Sequence, residues 1–504
     1  MSKTFRPWNP EQTLLLPPSP VDWLPENHLV FFLLDLAAEL DLDEIHAYYH
    51  RKDPRGEKAY DPRMMVVLLL YAYCVGLPSS RKIEKACWED AAFRVLTGNQ
   101  QPDHSRISDF RRRHLDALSG LFVQVLRLCQ KAGLVSLGHV ALDGTKIRAN
   151  ASKHKAMSHE RMFKSERQLE DEMRALLRRA ELIDAQEDGQ YGKGKRGDEL
   201  PEELQRRSSR LEWIRKAKAE LEAEAAAAKA RQRQEQAEAA EQEATEAEAS
   251  GDPKASQRAA RRVRGARKRA DDAQKLANEK AEAAGLDLVS TAATDALAMP
   301  QRRLPTDAAG HPKPSAQRNF TDPDSHILKG GDGWIQGYNC QAAVDGDHQV
   351  IVAIGVSNQA SDAVHLQPML ERIQANTGRL PDALITDAGF CSTANLEACE
   401  QRGLEAYIST SRQQHGQRPR PSRGPVPRDL DARARMDRKL RSKAGQAIYA
   451  RRKTIVEPVF GQIKDARGLD RFRLRGLEKV NGEWSLIATT HNLLKLFRAS
   501  MALA

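Results

Sequence analysis

Apolar and polar positions follow three different patterns along this chain, and the first pattern is helical. After a proline-rich start, apolar residues recur at helical spacing in nearly every stretch of residues 1–135. In DPRMMVVLLLYAYCVGL (61–77), Asp61 is suited to cap a helix and Pro62 to occupy its first turn. The pattern therefore predicts an all-α N-terminal domain.

A basic helix is predicted to begin at Ser105, in SRISDFRRRHLDALSG. Its early turns carry Arg106, Arg111 and Arg112, followed by a further arginine and a histidine. Short helices with a basic helix among them suit a helix-turn-helix-like bundle that binds DNA. An ordinary helical bundle with solvated arginines explains the same pattern equally well, so both interpretations stay open.

The second pattern covers residues 152–325, which are rich in charge and poor in large apolar side chains. Between 216 and 285, the only apolar residues besides alanine are Leu221, Val263 and Leu276. An acidic arm (235–248) and a basic arm (254–280) flank the turn sequence Ser-Gly-Asp-Pro. This segment predicts a charged helical hairpin, or partly disordered helix, inserted into the fold without a core of its own. The apolar seam of a coiled coil is missing.

The third pattern, over residues 326–504, alternates β-rich apolar runs with amphipathic helices. GYNCQAAVDGDHQVIVAIGVS (337–357) predicts a β-hairpin, and LPDALITDAGF (380–390) predicts a buried strand. A further strand is predicted in GHVALDGTKIRANAS, within residues 136–151, before the insertion. Together these elements predict an α/β mixed sheet flanked by helices, interrupted by the charged segment.

Composition adds a preference for a polyanionic partner. The chain has 79 Lys and Arg against 69 Asp and Glu, a net charge of +10. The excess is concentrated in residues 411–453, where basic residues far outnumber acidic ones. The six cysteines show no C-x-x-C spacing and predict reduced thiols. The first twenty residues lack a signal peptide, and no apolar run is long enough to span a membrane, so we expect a cytoplasmic protein.

Two aspartates attract attention because each follows an apolar run and precedes a glycine-containing turn. These are Asp143 and Asp387. In open α/β sheets, sites form where strand ends meet a crevice, so neighbouring strands would bring the two carboxylates together. Asp143 could instead be a simple turn former, and Asp387 could cap the next helix. Two other acids, Asp345 and Asp362, are better explained by a hairpin turn and a helix start.

The segment AIYARRKTIVEPVFGQIKD (447–465) holds an isolated glutamate, Glu457, among basic residues. On a helix, its apolar residues form a stripe suited to packing on a core, which leaves Glu457 on a separate cationic face. Pro458 should kink or restart that helix. The bland alternative is a solvated Lys–Glu pair. Three carboxylates without His or Cys partners suit Mg²⁺ or Mn²⁺, and two such ions serve phosphodiester chemistry.

Four segments carry a family resemblance: ALDGTKIRANAS, GYNCQAAVD, ALITDAGF and YARRKTIVEPVFGQIK. With the helical N-terminal region, they resemble bacterial insertion-sequence DDE transposases of the group with a Y-R-E-K signature. The resemblance implies an RNase H-like catalytic core with Asp143, Asp387 and Glu457 as its metal-binding triad. The residues that match the rest of the signature, and so imply contacts to DNA phosphates, are Tyr449, Arg452 or Lys453, and Lys464. Arg452 is one residue further from the glutamate than the signature spacing, whereas Lys453 lies at the expected distance.

The resemblance implies Mg²⁺-dependent cleavage at the terminal inverted repeats of an element, followed by 3′-OH strand transfer into target DNA. It also implies double-stranded DNA as partner, a homodimer in the synaptic complex and a nucleoid-associated protein with no membrane contact. Two alternatives stay open: a nuclease of the same core without strand transfer, and a silent DNA-binding regulator. A helical scaffold fails to explain the β-rich segments.

Overall fold

The computed structural model of this chain describes residues 19–51, 58–191, 202–249, 252–286, 299–307, 309–331, 333–411 and 430–503. Its N-terminal region is helical, as predicted. The helices there are α1 Leu29–Leu36, α2 Asp43–His50, α3 Pro62–Cys74, α4 Ser80–Glu89, α5 Ala91–Leu96, α6 His104–Arg113 and α7 Leu115–Lys131.

Helix α3 begins as its sequence predicts. The Asp61 carboxylate accepts hydrogen bonds from the backbone N–H groups of Arg63 and Met64, and Pro62 occupies the first turn. The basic helix differs from its prediction in two respects. It begins one residue earlier, after the cap Asp103, and it ends at Arg113, so the segment predicted as one helix forms α6 and α7.

The rest of the described chain is mixed. The strands are β1 His139–Arg148, β2 Ala156–Ser158, β3 Gln317–Asn319, β4 His326–Gly330, β5 Gly333–Asp345, β6 Ile351–Ser357, β7 Ala383–Thr386 and β8 Glu405–Ile408. The remaining helices are α8 His159–Tyr191, α9 Glu202–Ala249, α10 Pro253–Ala283, α11 Leu366–Thr377, α12 Thr393–Gln401, α13 Ala432–Arg441, α14 Lys443–Ala450, α15 Arg452–Gly461 and α16 Leu477–Leu503.

Strand β1 lies in the middle of a mixed sheet. It pairs antiparallel with β5 on one side and parallel with β7 on the other, and β8 continues the sheet beyond β7. The far edge of the long strand β5 is shared by β4 and β6, which pair with different parts of it. The β5–β6 pair is the predicted hairpin. Helices lie against this sheet, so the predicted α/β mixed sheet with an all-helical N-terminal region is present.

The charged segment forms helices that lie beside one another. Arg262 of α10 pairs with Glu243 of α9, and Lys280 pairs with Glu222, each at 2.9 Å, which shows that the two helices run antiparallel. The predicted lack of a seam is wrong in one respect, because alanines of both helices pack together. These buried alanines are Ala226, Ala230, Ala237, Ala266, Ala270 and Ala277. Counting only large apolar side chains missed them.

The last helix, α16, connects the N-terminal helices to the sheet. It packs against α3 and α7 on one side and against β6 on the other. The buried Trp484 donates its indole N–H to the carbonyl of Gln341, and the Asn492 side chain bonds both backbone groups of Ile351. The buried apolar residues of the N-terminal helices and of the sheet consequently form one continuous core. The domain boundaries drawn from sequence stay predictions.

Candidate active site

Asp143 lies on β1, and Asp387 directly follows β7, the parallel neighbour of β1. Leu142 of β1 pairs with Thr386 of β7, and the next residue along the chain is an aspartate in both cases. β7 ends there, whereas β1 continues along β5 to Arg148. Asp143 is therefore within a strand and is not the turn former that its Asp-Gly sequence allowed.

Each of these aspartates accepts a hydrogen bond from a nearby glycine. The N–H of Gly144 lies 2.8 Å from Asp143 Oδ1, and the N–H of Gly389 lies 2.8 Å from Asp387 Oδ1. The Asp387 carboxylate caps only the short 3-10 turn that follows it. Helix α12 has its own cap in Ser392, so the alternative role of Asp387 as the cap of that helix does not hold.

Glu457 lies on α15, where the sequence placed it on a helical face separate from the apolar stripe. Val456 and Val459 are fully buried, whereas the Glu457 side chain is 48% exposed. The predicted restart at Pro458 is not found, since α15 runs continuously through it. Proline leaves the carbonyl four residues earlier without its helical donor. The side chain of Gln349 supplies a replacement, at 2.8 Å from the Thr454 carbonyl oxygen.

Arg452 joins the strand acid to the helix acid. Its Nη1 lies 2.6 Å from Asp143 Oδ2, and its Nη2 lies 3.1 Å from Glu457 Oε1. The Arg452 and Asp143 side chains are only 16% and 18% exposed. One guanidinium thus compensates two carboxylates, which is the electrostatic condition that a bound cation would also satisfy.

Burial dominates the electrostatics of Asp143. It raises the pKa of the Asp143 carboxyl to about 6, and the neighbouring Asp387 and Asp362 charges raise it as well. The Arg452 guanidinium and the Gly144 N–H oppose this rise. Burial also acts to lower the pKa of Arg452, but its anionic neighbours, Asp143 first among them, hold it above the ordinary arginine value. The site is therefore a place where an additional positive charge is favoured.

The other signature residues differ in their surroundings. Lys464 follows α15 in a π-helical turn and places its Nζ 3.4 Å from the hydroxyl of Thr145, two residues beyond Asp143 on β1. Tyr449 is partly buried against the main core. Lys453, which has the signature spacing, is exposed. The structure thus brings Arg452 to Asp143 and Glu457, and Lys464 to Thr145.

Asp345 and Asp362, the two acids for which the sequence predicted structural roles, differ in their side-chain contacts. Asp345 is fully buried at the end of β5 and accepts hydrogen bonds from the backbone of Ser136, Leu137 and Asp347, which agrees with a turn role. Asp362 directly precedes the 3-10 turn that leads into α11, as a helix start predicts, but its side chain forms no capping hydrogen bond. The carboxylate lies beside the site. No pattern in the sequence indicated this, because Asp362 lies five residues after β6 and no glycine-containing turn follows it.

The donor set fits a hard divalent cation, because it consists of carboxylate oxygens and the site already attracts a positive group. Within the described part of the chain, no three His, Cys, Asp or Glu side chains are arranged to hold a metal ion. The Arg452 guanidinium contacts both Asp143 and Glu457 in this structure. Asp143, Asp387 and Glu457 are the residues that could bind the ion.

The basic helix presents two of its three candidate arginines to solvent. Arg106 and Arg112 are 58% and 60% exposed, and each pairs with an aspartate three residues earlier. Arg111 is 4% exposed, and its guanidinium donates to the Tyr73 hydroxyl, the Pro78 carbonyl and Ser80. Arg111 therefore lies inside the bundle, a position that does not fit a contact to DNA.

The basic 411–453 segment lies partly outside the described residues, at 412–429. In its described part, several cations pair within the chain. Arg435 forms a two-pronged pair with Glu400, and Lys439 lies 2.7 Å from Glu405. Lys443 is exposed like Lys453. Arg435 and Lys439 therefore hold α13 against α12 and β8.

Comparison with known protein families gives two matches. Residues 304–493 match the family described as Transposase DDE domain, a range that includes Asp387 and Glu457 but begins after Asp143. Residues 19–113 match the family described as Transposase domain (DUF772). No curated protein and no solved structure matches the chain significantly. None of the helices in the described residues is long and apolar enough to cross a membrane. The two family matches support a DDE transposase of the insertion-sequence type.

Proposed function

We propose that this chain binds the terminal inverted repeats of its element, cleaves DNA there and transfers the freed 3′-OH ends into target DNA. The observation that carries the proposal is the position of Asp143 on β1 beside Asp387, which directly follows the parallel strand β7, with Glu457 joined to Asp143 through Arg452. Acids that meet at the ends of adjacent parallel strands are typical of active sites. We further propose that the sheet is RNase H-like and that the signature is of the Y-R-E-K type.

The three carboxylates would hold Mg²⁺ or Mn²⁺, two ions in the fully loaded site. When bound, such ions activate the attacking oxygen and stabilise the leaving oxygen at phosphorus. The overall reaction consumes water to break the bond between the 3′-oxygen and phosphorus. The freed 3′-hydroxyl then displaces a 3′-oxygen of target DNA, so one phosphodiester bond forms as another breaks.

The cationic side chains near the acids would position DNA. Arg452 and Lys464 lie beside Asp143 and Thr145, where they can contact a phosphate bound at the carboxylates. The resemblance also makes Lys453, which is exposed, and Tyr449, which is partly buried, candidates for contacts to flanking phosphates. The proposed reaction needs no nucleophilic side chain and forms no covalent bond between protein and DNA.

The remaining parts of the proposal concern binding and assembly. The exposed Arg106 and Arg112 would contact the terminal repeats, whereas Arg111 would not. Because such contacts are to phosphates, affinity should fall steeply with salt concentration. Two element ends must be joined, so we propose a homodimer in the synaptic complex, working on nucleoid DNA in the cytoplasm.

The test uses purified full-length chain and labelled DNA that carries the flanking ends of its own gene. We expect Mg²⁺-dependent cleavage at those ends, lowered by more than about 100-fold in Asp387→Asn and in Glu457→Gln, with DNA binding retained. Asp382→Asn is the matched control, because Asp382 is 70% exposed and pairs with the surface residue Arg379. Cleavage without joined products would indicate a nuclease, and binding without cleavage would indicate a silent regulator.

A further inference from the structure

The Asp362 carboxylate lies on the opposite face of β1 from Arg452. Side chains alternate along a strand, so Asp143 and Thr145 face α15, and Gly144 and Lys146 face the other way. The contacts agree with this alternation. Asp143 and Thr145 bond Arg452 and Lys464, whereas Lys146 pairs with Asp362 at 3.3 Å.

Three side chains fix the Asp362 carboxylate in place. Its Oδ1 accepts hydrogen bonds from Asn339 at 2.7 Å and from Gln341 at 2.9 Å, besides the contact with Lys146. Asn339 and Gln341 lie on β5, directly opposite Lys146 and Gly144 in the β1–β5 register. The carboxylate is therefore bound to both of the strands that form the centre of the sheet.

The two oxygens of Asp362 face the two glycines that bond the catalytic aspartates. A Cβ at Gly144 would lie 2.8 Å from Asp362 Oδ1, and a Cβ at Gly389 would lie 3.3 Å from Oδ2. Only glycine allows so close an approach at residue 144, where Gln341 Nε2 would also be 2.5 Å away. Gly144 and Gly389 are the same residues whose N–H groups donate to Asp143 and Asp387.

We propose that Asp362 is a positioning residue that sets the separation of the Asp143 and Asp387 carboxylates by holding Gly144 and Gly389 on either side of it. The inference rests on the proposed function, because it assigns the two aspartates to one site. Asp362 is not itself placed as a ligand. Three neutral or cationic donors already engage its Oδ1, and its contacts lie behind β1.

The expected effect follows from the geometry that such sites require. Ligands must be held within about 0.5 Å of a productive arrangement. Substituting a residue that orients metal ligands typically lowers metal affinity or activity by about 10- to 100-fold. Asp362→Ala removes the carboxylate from between the glycines. Asp362→Asn keeps its shape and its Oδ1 acceptor, and should therefore retain most of the function.

The experiment compares wild type, Asp362→Ala, Asp362→Asn and the control Asp382→Ala in the full-length chain. Mn²⁺ affinity is measured without DNA by electron paramagnetic resonance, and thermal unfolding is followed in parallel. We expect Asp362→Ala to weaken Mn²⁺ binding by about 10- to 100-fold, with Asp362→Asn and Asp382→Ala close to wild type. Equal losses in Asp362→Ala and Asp362→Asn would overturn positioning in favour of direct ligation.

Crystal structures of metal-free wild type and Asp362→Ala supply a second measurement that does not depend on activity. The separation of the Asp143 and Asp387 carboxylates should change by more than about 0.5 Å in the variant. An unchanged separation would overturn the inference even if the enzyme cleaves DNA. Failure of wild type to bind Mn²⁺, together with an altered separation in the variant, would instead count against the proposed function and leave the positioning role intact.

Discussion

Arg452 is the residue at which the sequence and the structure differ most instructively. The signature spacing favoured Lys453, yet adjacent positions on a helix point about 100° apart, so only one of the two can face Asp143. The structure selects Arg452, whose planar guanidinium reaches two carboxylates at once. Spacing along the chain could not choose between the neighbours, because that choice depends on where α15 begins, which the sequence does not give to that accuracy. Their contacts to DNA stay predictions.

Arg452→Ala should destabilise the metal-free protein by about 1–3 kcal/mol, because it leaves the buried Asp143 carboxylate without its cation. Lys453→Ala is the matched control and should change the free energy of unfolding by less than about 0.5 kcal/mol. Urea denaturation in EDTA, followed by circular dichroism, measures both. Equal effects of the two substitutions would contradict the role given to Arg452.

At the scale of helices and strands, the elements whose patterns contain large apolar residues were predicted correctly. The cap of α3, the β5–β6 hairpin and the buried stripe of α15 all follow from such patterns. The alanine contacts of the charged hairpin did not, because alanine contributes little to an apolar pattern yet allows close packing once two helices are adjacent. The position of Asp362 was also missed, since it depends on the pairing of β1 with β5.

The alanine contacts give a prediction for α9 and α10. Ala277 is fully buried between them, whereas the neighbouring Leu276 is 41% exposed. Ala277→Arg should raise amide hydrogen exchange in α9 and α10 by about 10- to 100-fold, because an arginine cannot fit in the seam. Exchange in β1 and β7 should not change. Leu276→Arg places the same side chain on the surface and should leave both regions as in wild type; exchange that also rises there would argue against the alanine seam.

At the scale of the whole molecule, the N-terminal helices and the sheet are joined by a buried polar network. Arg111 bonds the hydroxyl of Tyr73, which donates to Glu483 of α16, and that carboxylate accepts from the backbone N–H groups of Arg473 and Leu474. These residues come from both ends of the chain. No local pattern reveals such a network, because each member is an ordinary polar residue until the fold brings the others to it.

Substitutions of the neighbouring Arg111 and Arg112 should therefore affect different properties, the first stability and the second DNA binding. Arg111→Ala should lower the free energy of unfolding by about 3 kcal/mol, because it leaves buried partners unsatisfied. Arg112→Ala should leave stability within about 0.5 kcal/mol of wild type. It should weaken binding to the terminal repeat and make the salt dependence of that binding less steep. Denaturation and filter binding measure the two effects. Lost DNA binding in Arg111→Ala with unchanged stability, or lost stability in Arg112→Ala with unchanged DNA binding, would contradict these roles.

Stability should also depend on pH through His491, which is 1% exposed. Burial lowers its pKa to about 3, and the nearby Arg467, Lys495 and Arg498 add to the effect, against the hydrogen bond to the Gln349 carbonyl. Between that value and the ordinary pKa near 6.5, only the unfolded chain binds the proton, so stability falls as pH drops. From pH 7.5 to 5.0, this histidine should account for about 2 kcal/mol of lost stability.

Urea denaturation at the two pH values, in wild type and in His491→Gln, isolates this contribution. Glutamine keeps a donor for the Gln349 carbonyl but does not titrate, so the loss between pH 7.5 and 5.0 should be smaller in the variant by that amount. Other groups, including Asp143, titrate alike in both proteins and cancel in the comparison. The same pH dependence in both would rule out His491 as its source.

The central strand pair has a consequence for how the chain is made. β1 is synthesised about 185 residues before β5, its antiparallel partner, and β7 follows later still. At about 5–20 residues per second, the ribosome needs roughly 10 to 40 s to reach β5. During that time β1 has no strand to pair with on either edge, while the α9–α10 hairpin, whose contacts are more local, can already form. During synthesis, the nascent chain thus carries an unpaired strand, β1, next to a charged helical hairpin that has already formed. Unpaired strand edges favour pairing with other chains, so neighbouring nascent chains on one messenger could pair prematurely through β1.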